Sequence, residues 1–347
     1  MSGIMIKVGI IGHGFSAQTF HLPFICASSD FEFTAISTRK PESITTQGAK
    51  GDKPLIFNTP EALITSKKID LVVITAPNDV HFSLAQLCLK NNLHVIVEKP
   101  ITVTLAEAEQ LAALAEEKSL VLSVFHNRRW DGDFLTVRKL LNNKVLGKVK
   151  VFESRFDRFR PIVGQKWKEN KGSGTGVWHD LGSHLVDQVL VLFGLPLSVT
   201  GKCIALRDNA EAIDYFSVQL HYEGFEVILS SSPYVVGKTP RFNIQGTKAS
   251  FVKQGVDPQE LQLKHRVNPN SIKFGREDES QYGVLLTEST NKTVVTEMGN
   301  YGQYYTEIAQ AINTQTPAPV SANDGVQVMK IIELALLSCQ SERTLFL

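Results

Sequence analysis

The sequence predicts an α/β protein with a doubly wound parallel sheet in its N-terminal part and a mostly antiparallel sheet in its C-terminal part. Over the first third of the chain, short β-branched runs alternate with helical stretches, which is typical of a parallel sheet covered on both faces. After about residue 145, several strand candidates follow one another without helices, which favours antiparallel pairing. A glycine-rich turn directly after the first strand is the third observation.

Two helix starts support the N-terminal assignment. Residues 104–119 are rich in strong helix formers, and Thr104 and Glu107 open this stretch as a capping box. Asn58-Thr59-Pro60 caps a shorter helix with proline at its first position. The predicted strands of this part are residues 6–12, 31–38, 54–57, 70–77, 94–100 and 120–127.

The C-terminal part has a different pattern. We expect a strand at 148–160, a glycine-rich loop at 168–178 and a helix at about 179–193. The strand candidates that follow are VTGKCIAL, DYFSVQLHY, FEVILSSS, RFNIQG and SFVKQG, and two further helices are predicted at about 301–313 and 323–341. We place the domain boundary between residues 125 and 126, which gives domains 1–125 and 126–347.

Composition excludes several classes of protein. Apolar residues make up 43% and charged residues 20% of the 347 residues, which suits a globular protein of two domains. The net charge of +1 gives no indication of nucleic acid or a membrane as partner. The four cysteines form no C-x-x-C pair, which argues against a disulfide framework and a zinc site. Because neither a membrane-spanning run nor a signal peptide is evident, we expect a cytoplasmic protein.

The glycine turn predicts a dinucleotide site. Gly12-x-Gly14-x-x-Ala17 stands between the first strand and a helix, where backbone N–H groups can approach a pyrophosphate. Phe15 and Ser16, within the turn, are predicted to contact the cofactor too. A plain strand–turn–helix connection is the alternative, but the position of the motif on the first strand favours nucleotide binding.

The end of the second strand distinguishes NAD from NADP. NAD-binding proteins usually place Asp or Glu there to hold the ribose 2′-hydroxyl, whereas this sequence has Ser37, Thr38 and Arg39. Hydroxyls and a guanidinium suit a 2′-phosphate, so we predict NADP rather than NAD. The alternative is an exposed loop of ordinary composition.

Polar residues also follow three other predicted strands, at the sheet edge where ligands bind in doubly wound folds. Ordinary turn chemistry is the alternative for each group, since Pro77-Asn78 suits a turn and His81 can cap a helix or face solvent. The predicted cofactor contacts in these groups are Thr75, Pro77, Asn78, His81, Glu98, Lys99, Asn127 and Arg128.

The predicted helix at 179–193 carries a carboxylate and a histidine. Asp180 and His184 are spaced i, i+4 and share a helical face, so the carboxylate can orient the ring of a general base. An ordinary helix with a polar first turn is the alternative. We predict no metal site, because His179 and His184 are five residues apart and diverge on an α-helix.

The glycine turn, Glu98-Lys99-Pro100 and Asp180-x-x-x-His184 together resemble the Gfo/Idh/MocA oxidoreductases, nicotinamide-dependent dehydrogenases of sugars and cyclic polyols. The resemblance covers essentially the whole chain. It implies an N-terminal Rossmann domain, a C-terminal α/β domain on a large open sheet, and a homodimer or homotetramer formed through that sheet. The segments closest to an NADP-dependent scyllo-inositol dehydrogenase-like branch are SVFHNRRWDGDFLT, FDRFRP, HDLGSHLVDQ and GNYGQYY.

The resemblance also assigns roles. Lys99 matches the catalytic lysine, Asp180 the substrate-orienting carboxylate and His184 the catalytic acid/base, and the Lys99-Pro100 bond is cis in many relatives. Trp167 is expected to contact the cofactor. Relatives commonly have Trp-Arg at this place, whereas this sequence has Trp167-Lys168. The lysine ammonium group is a point charge and lacks the planar, bidentate geometry of a guanidinium group.

The predicted reaction is reversible hydride transfer between a secondary alcohol of a cyclic polyol or sugar and NADP. In the oxidation, His184 accepts the hydroxyl proton while Lys99 stabilises the developing alkoxide. The alternatives are a non-catalytic NADP-sensing regulator, or a dehydrogenase of an acyclic sugar, a dihydrodiol or a biliverdin-like molecule. Ligand contacts by Glu98, Arg160 and Tyr301 stay open: Glu98 could bind the cofactor ribose or steady the turn, and Tyr301 and Tyr305 could line the pocket or pack their helix. The predicted substrate contacts are Lys99, Asn127, Asp157, Arg158, Asp180 and His184, with a solvated charged face as the alternative for Asn127, Asp157 and Arg158.

Overall fold

The computed structural model describes residues 5–44, 53–164 and 169–347, which form two compact units. The long N-terminal stretch of the first unit ends two residues beyond the predicted boundary, and two later segments also belong to this unit. A single cut in the sequence therefore does not describe how the chain divides. The first unit comprises Met1–Asn127, Gln259–Phe274 and Asn300–Val326, and the second comprises Arg128–Pro258, Gly275–Gly299 and Gln327–Leu347.

The strands of the first unit are β1 Ile6–Ile11, β2 Phe31–Ser37, β3 Leu55–Phe57, β4 Leu71–Ile74, β5 His94–Val97 and β6 Leu122–Val124. Within the described residues they form a six-stranded sheet in the order β3-β2-β1-β4-β5-β6, with every neighbouring pair parallel. All six predicted strands are confirmed. The strand order reverses beside β1, which is the place where ligands bind in open α/β sheets.

The helices are α1 Leu22–Ala27, α2 Pro60–Thr65, α3 His81–Lys90, α4 Leu105–Glu117, α5 Gly132–Asn142, α6 Ser183–Phe193, α7 Gln259–Lys264, α8 Tyr301–Thr314 and α9 Ala322–Ser341. Both predicted caps are confirmed. Thr104 and Glu107 form the capping box of α4, and Thr59 accepts a hydrogen bond from the N–H of Ala62 at the start of α2. No helix in the described part of the chain is long and apolar enough to cross a membrane.

The strands of the second unit are β7 Val149–Arg155, β8 Ser198–Ile204, β9 Tyr215–Tyr222, β10 Phe225–Ser231, β11 Phe242–Gly246, β12 Ser250–Lys253, β13 Gly283–Leu286, β14 Asn291–Val294 and β15 Leu345–Phe346. Among the residues that the structure covers, they form a nine-stranded sheet in the order β14-β13-β12-β11-β7-β10-β9-β8-β15. Neighbours are antiparallel except β7 and β10. The predicted mostly antiparallel sheet is therefore confirmed.

Alternate residues of this sheet are buried, so one face is covered. In β9, Phe216, Val218 and Leu220 are fully buried, whereas Gln219 between them is exposed. The helices α5 and α7 and the strands β13 to β15 were not predicted. β13 and its neighbour β14, which lies at one edge of the sheet, carry few buried residues and so lack a strong apolar alternation.

Two π-helical turns interrupt the expected α-helical geometry. Ala17–His21 precedes α1, and Trp178–Gly182 precedes α6. The predicted helix at 179–193 therefore begins as a π-turn. Within this turn the Trp178 ring packs directly against Gly182, where a Cβ atom would lie only 2.2 Å from Trp178 Cε3. Such π-turns are rare and occur frequently at functional sites.

Candidate functional site

The glycine turn after β1 allows a ligand to approach the backbone closely. Gly12 has a φ of +94°, and a Cβ atom there would lie 2.8 Å from Thr75 Oγ1. At Gly14, a Cβ atom would meet no described heavy atom within 4 Å. Phe15 is 56% exposed beside it. The neighbouring strand end thus requires glycine at position 12, whereas Gly14 leaves backbone surface open, as a dinucleotide pyrophosphate needs.

Hydrogen bonds hold the ends of three strands around this turn. The N–H of Gly12 donates to Ser37 O at 2.9 Å, at the end of β2. The Thr75 hydroxyl and the Thr75 N–H both donate to Ile11 O, each at 2.9 Å. Ser37 and Thr75, two predicted cofactor contacts, therefore lie at the same sheet edge as the glycine turn.

The residues after β2 form a cationic turn. Ser37 and Thr38 are buried, and the Thr38 hydroxyl accepts a hydrogen bond from the N–H of Lys40 at 3.1 Å. Arg39 and Lys40 are both exposed. The sequence prediction named Arg39 but missed Lys40, although the adjacent Arg-Lys pair was a visible signal. Two cations beside a buried hydroxyl suit a phosphate group better than a neutral ribose hydroxyl.

His81 connects the ends of β4 and β5. It is fully buried, its Nδ1 lies 2.8 Å from Pro100 O and its Nε2 lies 3.0 Å from Ala76 O. Burial lowers the pKa of His81, and the two carbonyl hydrogen bonds oppose that shift. Pro77 and Asn78 lead into a short 3-10 turn in front of α3, and Asn78 is buried. Both ring nitrogens of His81 face protein carbonyls and the residue has no exposed surface, so in this structure His81 joins the two strand ends and is not open to the predicted cofactor contact.

Glu98 and Lys99 follow β5 directly, and the Lys99-Pro100 peptide bond is cis, as the family resemblance implies. Glu98 is 14% exposed at its side chain. Its Oε1 accepts from Ser16 Oγ and from His21 Nε2, the latter at 3.0 Å, and its Oε2 accepts from the Lys99 N–H at 3.2 Å. Burial alone would raise the pKa of Glu98, but the partners His21, Ser16 and Lys99 outweigh it and lower the pKa to about 2. The carboxylate therefore joins the glycine turn to the backbone of Lys99.

His21 and Tyr305 lie behind Glu98. His21 Nδ1 lies 2.7 Å from the Tyr305 hydroxyl, and this hydroxyl donates to Phe20 O at 3.0 Å. Burial raises the pKa of Tyr305 well above its usual value, and the nearby Tyr304 and Glu98 add to the shift. Tyr305 was considered as a pocket residue, whereas His21 was missed because nothing in the sequence pairs it with Glu98.

Tyr301, whose role was left open, belongs to an aromatic cluster of the first unit. It is fully buried at the start of α8, and its N–H donates to Gln259 Oε1 at 2.7 Å. Its ring centroid lies 6.4 Å from those of Phe20 and Phe24. Packing accounts for its position.

The segment after β6 contains the predicted contacts Asn127 and Arg128. Asn127 is buried at the end of the long stretch of the first unit. In the second unit, Arg128 NH1 donates to Asp131 Oδ2 at 3.1 Å, and its guanidinium carbon lies 5.0 Å from the centre of the Phe156 ring. Arg129 forms a fork with Asp187 over distances of 2.6–3.1 Å. Asp187, on the same helix as His184, therefore serves to hold this segment.

Asp180 and His184 are positioned by the π-turn and by α6. Asp180 lies within the π-turn and is half-buried, whereas His184 is buried in the first turn of α6. His179 Nδ1 lies 3.1 Å from Thr175 O, and burial lowers the pKa of His179 against the effect of this hydrogen bond. The described residues contain no group of three possible metal ligands.

The predicted substrate contacts after β7 differ in their surroundings. Both oxygens of Asp157 accept hydrogen bonds, from the Ser232 N–H at 3.0 Å and from Thr239 Oγ1 at 2.8 Å. The Arg158 guanidinium carbon lies 5.1 Å from the centre of the Phe156 ring. Arg160 is exposed. Asp157 thus holds the loop that follows β10. Trp167, with its neighbour Lys168, lies outside the described residues.

Comparison with protein families assigns both parts of the chain. Residues 6–126 match the family model described as "Oxidoreductase family, NAD-binding Rossmann fold". Residues 138–347 match the model described as "Oxidoreductase family, C-terminal alpha/beta domain". Both are models of the Gfo/Idh/MocA family.

Similar proteins cover the chain over nearly its full length. The uncharacterised oxidoreductase YdgJ of Escherichia coli is 42% identical, with 99% of each chain covered. The scyllo-inositol 2-dehydrogenase (NADP(+)) IolW of Bacillus subtilis is 37% identical, over 99% of this chain and 96% of that protein. A solved structure of the oxidoreductase yvaA from Bacillus subtilis has a TM-score of 0.95 at 36% identity, covering 100% of this chain and 99% of that chain. The predicted resemblance is confirmed: the chain belongs to the Gfo/Idh/MocA family of oxidoreductases.

Proposed function

We propose that this oxidoreductase is an NADP(H)-dependent dehydrogenase that oxidises a secondary alcohol of a cyclic polyol or sugar, reversibly. The observation that carries the proposal is the position of Lys99 in the first unit. One carboxylate, Glu98, accepts a hydrogen bond from Ser16 in the glycine turn and another from the Lys99 N–H. The residue that resembles a catalytic lysine is therefore tied to the turn that resembles a dinucleotide site. The similarity to an NADP-dependent inositol dehydrogenase supports the same substrate class.

The residues of the first unit suggest how NADP binds. The open backbone at Gly14 is suited to the pyrophosphate, and the cationic turn of Arg39 and Lys40 is suited to the 2′-phosphate. Ser37 and Thr38 add hydroxyl groups at the same strand end. When bound, the nicotinamide supplies the hydride acceptor for oxidation and the hydride donor for reduction.

The chemistry of the protein side chains follows from their types. The Lys99 ammonium donates a hydrogen bond to the substrate oxygen and stabilises the negative charge that develops there during oxidation. His184 accepts the hydroxyl proton, and Asp180 orients either His184 or a neighbouring substrate hydroxyl. Asn127 and Arg158 supply further polar groups for vicinal hydroxyls. Asp157 contributes as a hydrogen-bond acceptor only with lone pairs that its two loop contacts leave available.

A homodimer or homotetramer is part of the proposal. One face of the nine-stranded sheet carries half-exposed apolar residues on β7, β10 and β12, namely Val151, Ile228 and Val252. A second copy of the chain would cover them. Light scattering coupled to size-exclusion chromatography measures the assembly directly, and a monomer at micromolar concentration would contradict this part.

The test is NADPH formation at mildly alkaline pH across a panel of inositols and sugars, with NADP and NAD compared. We expect turnover with at least one cyclic polyol and preference for NADP. Lys99→Ala should abolish turnover while NADP still binds. A wild-type protein that binds NADP but is inert toward the whole panel, including acyclic sugars and dihydrodiols, would favour the non-catalytic sensor instead.

A further inference from the structure

Glu98 stands at one end of a buried chain of hydrogen bonds in the first unit. The chain runs from Tyr305 on α8, through His21 in the π-turn before α1, to Glu98 after β5. His21 and Tyr305 are almost completely buried, and Ser16 of the glycine turn joins the chain at Glu98 Oε1. Three separate segments thus converge on one carboxylate.

Hydrogen bonds link the three side chains without a break. The Tyr305 hydroxyl donates to Phe20 O at 3.0 Å, and its oxygen lies 2.7 Å from His21 Nδ1. The second ring nitrogen of His21, Nε2, lies 3.0 Å from Glu98 Oε1. His21 therefore connects the tyrosine of α8 to the carboxylate.

The other oxygen of Glu98 is directed to Lys99. Oε2 accepts from the Lys99 N–H at 3.2 Å, while the Glu98 N–H donates to Ile74 O of β4 at 3.1 Å. The Lys99 backbone is therefore fixed by a carboxylate whose own orientation is fixed by His21 and Ser16. The hydroxyl hydrogen of Ser16 is donated to Glu98, so this hydroxyl does not donate to a phosphate at the same time.

We propose that Glu98 is a positioning residue that holds the backbone of Lys99 in place, and that Tyr305 and His21 act through Glu98 to the same end. This inference rests on the proposed role of Lys99 as a catalytic residue. It differs from a role as a ribose ligand, in which Glu98 would contribute mainly to cofactor affinity. By this inference Tyr305, although it is buried and its hydroxyl contacts only Phe20 and His21 among the hydrogen bonds described above, also affects turnover.

The chain offers a matched control for the tyrosine. Tyr304 is also fully buried on α8, and its hydroxyl donates to Ser123 Oγ at 2.9 Å, outside the path to Glu98. Tyr305→Phe and Tyr304→Phe therefore remove the same group from adjacent positions. Glu98→Ala removes the contacts of Oε1 to His21 and Ser16 and the contact of Oε2 to the Lys99 N–H. Glu98→Gln keeps one acceptor oxygen and the side-chain shape.

The first experiment needs no activity. Hydrogen–deuterium exchange of the full chain, resolved at the Lys99 amide, reports the hydrogen bond to Glu98. We expect exchange to rise about tenfold in Glu98→Ala, as for the loss of one hydrogen bond to a charged group. It should rise less in Tyr305→Phe and stay unchanged in Tyr304→Phe. Unchanged exchange in Glu98→Ala, or equal effects of the two tyrosine variants, would overturn the proposal.

The second experiment uses kinetics with the best substrate of the polyol panel. We expect kcat of Glu98→Ala to fall roughly tenfold to hundredfold while KM and the NADP Kd change little, because orientation rather than binding is lost. Glu98→Gln should recover part of kcat. A weaker NADP Kd with unchanged kcat would identify Glu98 as a ribose ligand and refute the positioning role. If the wild type is inert, the proposed function fails, and the exchange experiment still decides the role of Glu98.

Discussion

The two glycines of the turn after β1 should respond differently to the same substitution. Gly12→Ala places a methyl group 2.8 Å from Thr75 Oγ1 and 3.2 Å from Thr75 O, at a φ of +94°. The left-handed backbone costs about 1–2 kcal/mol for a residue with a Cβ atom, and the overpacking costs about 1–3 kcal/mol. We therefore expect Gly12→Ala to reduce the free energy of unfolding by about 2–5 kcal/mol.

Gly14→Ala should leave folding intact and weaken cofactor binding. Its Cβ atom meets no described heavy atom within 4 Å, so the free energy of unfolding should change by less than about 1 kcal/mol. The methyl group would, however, occupy the backbone surface that we propose for the pyrophosphate. Losing backbone hydrogen bonds to a charged group costs about 1.5–3 kcal/mol, which is about tenfold to hundredfold in Kd.

Urea unfolding without nucleotide and calorimetric titration with NADP separate these two effects. The reasoning is refuted if Gly14→Ala binds NADP as tightly as the wild type, because the turn would then not be the pyrophosphate site. It is also refuted if Gly12→Ala unfolds at the wild-type urea concentration, because the close approach of Thr75 would then have no energetic cost.

Three further predictions concern other parts of the chain. Arg39→Ala should raise the Kd for NADP roughly tenfold or more and leave the Kd for NAD unchanged, since only NADP carries the 2′-phosphate; equal losses for both nucleotides in titrations would contradict it. The pKa of Glu98 is held at about 2, below its ordinary value of 4.5, so its ionised form stabilises the fold above pH 4.5 and this contribution is lost as the pH falls toward 2. The stability advantage of wild type over Glu98→Gln in urea should therefore shrink between about pH 6 and about pH 3, and a constant difference would contradict the lowered pKa of Glu98. Gly182→Ala, whose Cβ would lie 2.2 Å from Trp178 Cε3, should lower the unfolding free energy by about 1–3 kcal/mol in thermal denaturation, and a neutral effect would show that the π-turn accommodates the methyl group.

The sequence predicts the first unit well because its signals are local. Six apolar runs became six strands, and Thr104 with Glu107 formed the capping box that their spacing indicates. The glycine turn could be recognised for the same reason, since the strand, the turn and the helix are consecutive. By contrast, β13 and the edge strand β14 have few buried residues, so alternation of apolar residues could not identify them.

Long-range partners could not be read from the sequence. The role of Glu98 was left open between a ribose contact and a turn-stabilising role, because its partner His21 lies 77 residues away and Tyr305 lies 284 residues from His21. Asp157 was predicted to contact substrate from its residue type alone, whereas its two contacts to the loop after β10 depend on tertiary structure. The π-turn before α6 depends on the packing of Trp178 against Gly182, which helical periodicity does not reveal.

The late segment Asn300–Val326 has a consequence for how the protein is made on the ribosome. β6 receives a hydrogen bond partner from this segment, because the N–H of Val124 and the hydroxyl of Ser123 both donate to Val320 O. Tyr305 from the same segment completes the buried chain to Glu98. During synthesis these contacts of the first unit can form only after the segment Asn300–Val326 has been made, near the end of the chain. Contacts between residues so far apart in sequence slow folding. A fragment ending at Asn127 would lack Val320 and Tyr305, and we expect the buried residues that these would cover to promote aggregation. The first unit therefore cannot be produced as an N-terminal fragment alone.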